Sequence, residues 1–398
     1  MPRPRSEIAE HREFDVAVVG LGGIGSGAVY WAAKRAGASV LGLERFEFGH
    51  ERGASQDHSR ITRLSYHKPE YVRFARDAYA AWSEVAASSG EELVVRTGGL
   101  DLYPEDASEW IDDYVGSLEE VGGIPYEWFD ASEAMRRWPQ WRLSDDIRVM
   151  YQEDSGIVAA ARANEAHRRV AESMGATLVP DARVTQVRET GGLYELETGT
   201  TAFRAERLIV AADAWTNELL EQLWRPINLV VTQEQVAYYA SQEVDAFSPE
   251  RFPIWIWMGE PSFYGVPVFG ERGPKIGRDV GGPEVTGDDR SFEPRPDYSE
   301  ALDGFMRERL PGGFGPYLRQ KTCLYTMTPD RDFVLDLIPG HERAAVGQGA
   351  AHAFKFASAF GKSLVELVFD GKTESDVSAW NINRDILTMK DPPKTLTM

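Results

Sequence analysis

Residues 15–25, Asp-Val-Ala-Val-Val-Gly-Leu-Gly-Gly-Ile-Gly, constrain the fold more than any other stretch of this chain. A β-branched run that ends in glycine reads as a buried strand. Ser26 to Ala36 is alanine-rich and helix-compatible, and Gly37 stops it. A second apolar run, Ser39 to Leu43, then ends at Glu44. Strand, glycine turn, helix, strand, acid is the order of a βαβ unit that cradles a dinucleotide. Gly20 permits the tight turn, Gly22 lets the backbone approach a pyrophosphate, and Gly25 lets helix and strand pack closely. The helix N-terminus offers N–H donors and a positive dipole to the phosphates. Glu44 can accept from the ribose hydroxyls, which disfavours a 2′-phosphate and therefore NADP. Glycine is abundant here, with 37 residues, so the spacing alone is weak and the context makes it specific.

A chain of 398 residues is long for one core, so two lobes are expected. Met1 to Glu13 mixes Arg3 and Arg5 with acids and has no apolar stretch, so it reads as a short frayed tail and not a secretory signal. No window of 18 apolar residues suggests a membrane span. A net charge of −20 argues against nucleic acid and anionic membranes as partners. The single cysteine, Cys323, rules out a disulfide within the chain and makes a cytoplasmic setting the expectation.

Apolar spacing predicts helices over 70–88, 105–121, 164–174 and 299–310, with a last one running to about Phe369. Strands are expected over 93–103, 176–179, 183–210 (joined by Gly191-Gly192 and Thr198-Gly199-Thr200) and, several of them, over 227–275. Residues 281–296 read as a loop. The fold class is thus α/β. A Rossmann-like nucleotide domain is assembled from discontinuous segments, 14–92, 150–225 and 328–390, and a catalytic domain with a mixed β-sheet comprises 93–149 and 226–327. The glycine fingerprint does not separate NAD from FAD. Its N-terminal placement, with a returning strand at Leu208 to Ala212, suits FAD.

Five further motifs occur in order: Ser59-Arg60-Ile61-Thr62-Arg63, Phe263-Tyr264-Gly265-Val266-Pro267, Lys275-Ile276-Gly277, Cys323-Leu324-Tyr325-Thr326 and His352-Ala353-Phe354-Lys355-Phe356. With them the chain resembles, from about Asp15 to Arg384, the family of monomeric sarcosine oxidase, N-methyltryptophan oxidase and pipecolate oxidase. The resemblance implies an FAD-dependent oxidase of a secondary amino acid (N-methyl, N-alkyl or cyclic). The products would be an imine, then an aldehyde or keto product, and hydrogen peroxide. Its alternative is a flavin-dependent amino acid dehydrogenase with another electron acceptor. The implied partners are a small amino acid and oxygen, and a monomer is expected.

The resemblance also assigns roles. Gly20, Gly22, Gly23, Ile24, Gly25, Glu44, Arg45, Arg60, Val184, Cys323, His352 and Lys355 would contact FAD. Cys323 would bond covalently to the flavin 8α-methyl. A lone cysteine is ordinarily an inert core residue, and here the flanking Leu-Tyr-Thr reverses that. Cations favour the required thiolate, and Arg319 and Lys321 are the nearest in sequence. Arg63 and Lys355 match the pair that holds the substrate carboxylate, Lys275 the lysine that promotes reaction with oxygen, Arg60 an arginine close to the flavin, and Tyr264 a cavity tyrosine. This chain departs from sarcosine oxidases at Asp279, where they carry histidine, and at Trp255, where they carry methionine. The expectation that follows is a substrate larger than sarcosine, with Trp255 and Trp257 on one broad aromatic face and Asp279 in the cavity, unless an ion pair engages it.

Overall fold

The computed structural model describes residues 13–199 and 201–393. The expected N-terminal tail lies outside these except for Glu13, which is in a strand, and Thr200 of the expected turn lies outside as well.

The first strand, Val16–Val19, is wholly buried and leads through the glycine turn into the helix Gly23–Ala36, which Gly37 closes at φ 56. Val16–Val19 sits inside a six-stranded sheet, ordered Thr177–Val179, Val40–Leu43, Val16–Val19, Leu208–Val210, His341–Gln348, Val334–Ile338. Its first five strands run parallel, and the last is antiparallel. Strands this deeply buried read as continuous apolar runs, and Leu208–Val210 is the returning strand expected from the sequence. A four-stranded sheet combines Glu13–Phe14 with Ala202–Ala205, Leu193–Thr198 and Val184–Thr190.

The largest sheet is mixed and has eight strands: Tyr317–Met327, Val230–Tyr239, Lys275–Arg278, Phe263–Val266, Ile254–Trp257, Gly99–Tyr103, Arg148–Gln152 and Glu127–Asp130. Only Ile254–Trp257 and Gly99–Tyr103 pair in parallel. One register row crosses it through Gly277, Tyr264, Ile256 and Asp101. Strand side chains alternate between faces, so this row shares one face, and Trp255 and Trp257 point to the other. There Trp255 is 1% exposed and stacks on Phe305 of the helix Pro296–Arg309, ring centroids 5.3 Å apart, while Trp257 meets the same phenylalanine edge-on. The two tryptophans therefore belong to the core under that helix. The aromatic cavity face expected of them is not formed.

A small antiparallel sheet of Ser59–Thr62, Gly156–Ala159 and Val94–Arg96 carries Arg60, with Arg63 just beyond its end. Helix Pro69–Ser89 opens on proline and ends at Gly90 in the left-handed region, the usual signals at each terminus. The final helix, Ala357–Asp370, is preceded by a tighter turn at Ala353–Phe356.

Candidate active site

A continuous cleft runs between the glycine turn and the large sheet. One half is lined by Gly20, Gly22, Glu44, Arg45, Arg168 and Val184. The other is lined by Gly23, Ile24, Arg60, Arg63, Tyr264, Lys275, Asp279, Cys323, His352 and Lys355. The halves share Gly22, Ser55, Asp57 and Asp213. Gly25 lies just behind the turn. A β-carbon on it would sit 1.7 Å from the carbonyl oxygen of Gly20, and one on Gly20, at φ +88, would sit 2.4 Å from that of Ala211.

These residues fit an FAD. The Gly22 cap makes no side-chain hydrogen bond and the first helical turn holds no acid, which leaves an anion site at the helix N-terminus. Glu44 accepts from the N–H groups of Leu21 (2.7 Å) and Phe46 (3.1 Å). Burial opposes its charge, but His50 and those N–H groups outweigh burial and hold the carboxyl below its usual range. Arg45 is fixed by Asp288 at 2.7 Å and lies over Trp215. Asp213 Oδ2 and His352 Nδ1 line the cleft without a hydrogen-bond partner among the described residues.

Cys323 faces the cleft from the strand Tyr317–Met327. Burial pushes its thiol up to about 11, and Arg60, Lys275 and Arg290 oppose that rise. The cations that act on it are thus not its sequence neighbours, because Arg319 and Lys321 both pair with Glu51. Arg290 is held by two bonds to Thr322, to its carbonyl at 2.7 Å and its hydroxyl at 2.6 Å. Nothing in the polar loop 281–296 singled it out.

Arg60 donates to the carbonyls of Ser59 (2.8 Å) and Ala54 (2.7 Å) and stacks over Phe354. Tyr264 lies over Gly277, where a β-carbon would come within 2.5 Å of its ring. Its hydroxyl accepts from Tyr325 at 3.4 Å. Lys275 is 4% exposed and pairs with Asp57 at 2.6 Å. His352 stacks on Phe333 and donates from Nε2 to the carbonyl of Arg331 at 2.8 Å. Burial, Lys355 and Arg331 push it well below its ordinary value, so it is neutral.

At the far end, three cations converge. Arg63 is buried and bonds Asp101 at 2.8 Å, with Tyr114 at 3.3 Å. Arg331 is 2% exposed and bonds both oxygens of Asp279, at 2.9 and 3.4 Å. Asp279 is therefore engaged in an ion pair and is not a lone cavity carboxylate. The third cation, Lys355, makes no side-chain hydrogen bond among the described residues, and its Nζ lies 5.6 Å from the centre of the Tyr66 ring. Burial, then Arg63, lowers it to about 7. Sequence reasoning missed Asp101, Arg331 and Asp57. Arg331 sits in Thr328-Pro-Asp-Arg-Asp332, a charged turn that reads as solvated. Several cleft residues hold positive φ without being glycine: Asp57, Asp213, Arg331 and Ala351. Such strain gathers at functional sites.

This fold and cleft define a flavin-dependent oxidoreductase. The chain belongs to the DAO family of FAD dependent oxidoreductases, whose profile matches residues 15–367. It is 31% identical over 379 residues to monomeric sarcosine oxidase of Bacillus sp. (strain NS-129), covering 94% of this chain and 97% of that one. It is 29% identical over 381 residues to N-methyl-L-tryptophan oxidase of Escherichia coli (strain K12), covering 94% and 99%. Among solved structures it is similar to NikD, an unusual amino acid oxidase essential for nikkomycin biosynthesis, in its open form: TM-score 0.82, 26% identity, covering 93% and 98%.

Proposed function

We propose that this chain is an FAD-dependent oxidase of a secondary amino acid, N-methyl, N-alkyl or cyclic, with oxygen as the electron acceptor. The observation that carries this reading is the charge pattern at the far end of the cleft. Arg63 is neutralised by Asp101 and Arg331 by Asp279, and of these three cations Lys355 is left without a carboxylate partner among the described residues. One excess buried cation suits one carboxylate. Lys355 supplies the charge and Arg63 bounds the same end of the cleft, which suits a shared hold on the substrate carboxylate.

Bound FAD would supply the two-electron chemistry, accepting a hydride equivalent from the carbon next to the amine nitrogen, so that the C–N bond becomes an imine, and passing both electrons with two protons to oxygen as hydrogen peroxide. The residues position the rest. Gly20, Gly22 and Gly25 shape the pyrophosphate turn, Glu44 meets the ribose, and Cys323 would anchor the flavin through a thioether. Tyr264 and Tyr325 wall the substrate space. No side-chain base is required, because an amine that binds neutral already presents its lone pair. Lys275 is the fixed cation for charge that develops on oxygen. The relatives named as monomeric support a monomer.

A peroxide-coupled screen of N-methyl, N-alkyl and cyclic amino acids tests the proposal. Activity should require the carboxylate, and Lys355→Met should raise KM by a factor on the order of 100, from the loss of one charge-assisted contact of about 3 kcal/mol. Equal turnover of the matching amines without a carboxylate would overturn it.

A further inference from the structure

Lys275 does not stand alone. Its Nζ lies 2.6 Å from Asp57 Oδ2, and the two side chains are 4% and 5% exposed. Nζ also donates to the carbonyl of Ser59 at 3.3 Å. Asp57 is itself held, since the hydroxyl of Tyr238 donates to its Oδ1 at 2.8 Å. Its backbone keeps φ at +86, a conformation that residues with a β-carbon rarely adopt. Strain of this kind persists only where the surroundings over-determine it.

The charged and titratable groups that face Lys275 come from three elements. Asp57 and Arg60 lie on the segment that enters the small sheet, Tyr238 on Val230–Tyr239, and Cys323 on Tyr317–Met327. Burial drives an ammonium toward its neutral form, and Arg60 pushes the same way. Asp57 pushes back. Burial would raise its own carboxyl, but Lys275 and Arg60 overcome that and hold it ionised.

We propose that Asp57 is a positioning residue for Lys275, which keeps the ammonium charged and fixed in the flavin half of the cleft so that the cation is present when negative charge builds on oxygen. This rests on the oxygen role given to Lys275 above. The arrangement carries a trade. An anion 2.6 Å away screens part of the field of Lys275, yet without it the lysine loses its proton at lower pH. Removing Asp57 therefore has opposite effects at the two ends of the pH scale.

The test uses the holoenzyme and its Asp57→Asn, Asp57→Glu and Asp57→Gly variants. An NMR titration of 13C-labelled lysine, with the Lys275 signal assigned by its loss in Lys275→Met, reads protonation directly. Lys275 in Asp57→Asn should titrate lower than in the wild type by about one unit or more, and Asp57→Glu should recover most of the difference. Stopped-flow reoxidation of the reduced enzyme should show crossing profiles between about pH 6 and pH 9. Asp57→Asn should match or exceed the wild type at the acid end and fall below it at the alkaline end, by about tenfold per unit beyond its lowered pKa. If Asp57→Asn does not fold, Asp57→Gly, which suits a φ of +86 and also removes the carboxylate, carries the test with a shift in the same direction. Identical Lys275 titrations, or a reoxidation defect equal at every pH, would overturn the proposal, since a merely structural Asp57 gives the latter. Wild-type reoxidation in Lys275→Met would instead remove the oxygen role itself, a failure the NMR titration does not share.

Discussion

Lys355 gives the account its most quantitative test. Buried and beside Arg63, it is lowered to about 7. The protonated form is the one that holds a carboxylate, so affinity should be full below about pH 7 and decline above it. A carboxylate ligand that carries oxygen or sulfur in place of the amine nitrogen isolates this effect from titration of the substrate. For a lysine that titrates at 7, the protonated fraction falls about 90-fold between about pH 6 and pH 9, equivalent to about 2.7 kcal/mol of binding free energy. The flavin absorbance change on binding measures Kd, and calorimetry in buffers of different ionisation enthalpy counts protons. At pH 7 about half a proton should be taken up per ligand bound, because the bound carboxylate restores the charge of Lys355. Lys355→Arg, charged throughout this range, should flatten the profile. A Kd that stays constant across the range in the wild type, with no proton uptake, would refute the reasoning.

Three further outcomes follow from the packing. Acid precipitation of the wild type should carry yellow colour into the pellet, and Cys323→Ser should release all of it to the supernatant; wild-type flavin entirely in the supernatant would remove the thioether. Asp101→Asn strips Arg63 of its buried partner and should cost about 3–5 kcal/mol in denaturant unfolding; a change below about 0.5 kcal/mol, the usual scatter of surface substitutions, would show the pair to be dispensable. Trp255→Ala should destabilise by about 3–5 kcal/mol and leave the ranking of substrates unchanged, because Trp255 stacks on Phe305 in the core. A reordered substrate ranking would return it to the cavity.

The nucleotide-binding half was legible because its physics is local. Gly20 and Gly25 are dictated by contacts a β-carbon would close, and Glu44 falls at the end of the adjacent strand. The motifs around Arg60, Tyr264, Lys275, Cys323 and Lys355 all reach one cleft. What stayed hidden was the partner of each charge. Asp101 reaches Arg63, and Asp57 reaches Lys275, across 38 and 218 positions of sequence respectively, and only the tertiary fold brings them together. The face of an isolated strand is equally ambiguous. Alternation put Trp255 and Trp257 on one side, but only the docked helix Pro296–Arg309 tells which side is core. Arg331 was invisible for a third reason, since a charged turn looks solvated until the surrounding elements bury it.

The central claim is that this cleft oxidises an amino acid and returns the electrons to oxygen, and a single-turnover experiment tests it most directly. Anaerobic addition of an N-alkyl or cyclic amino acid should bleach the bound flavin, and admission of oxygen should restore the colour with one hydrogen peroxide released per flavin. Bleached flavin that stays reduced in air and recovers only with an artificial acceptor would contradict the oxidase and favour a dehydrogenase.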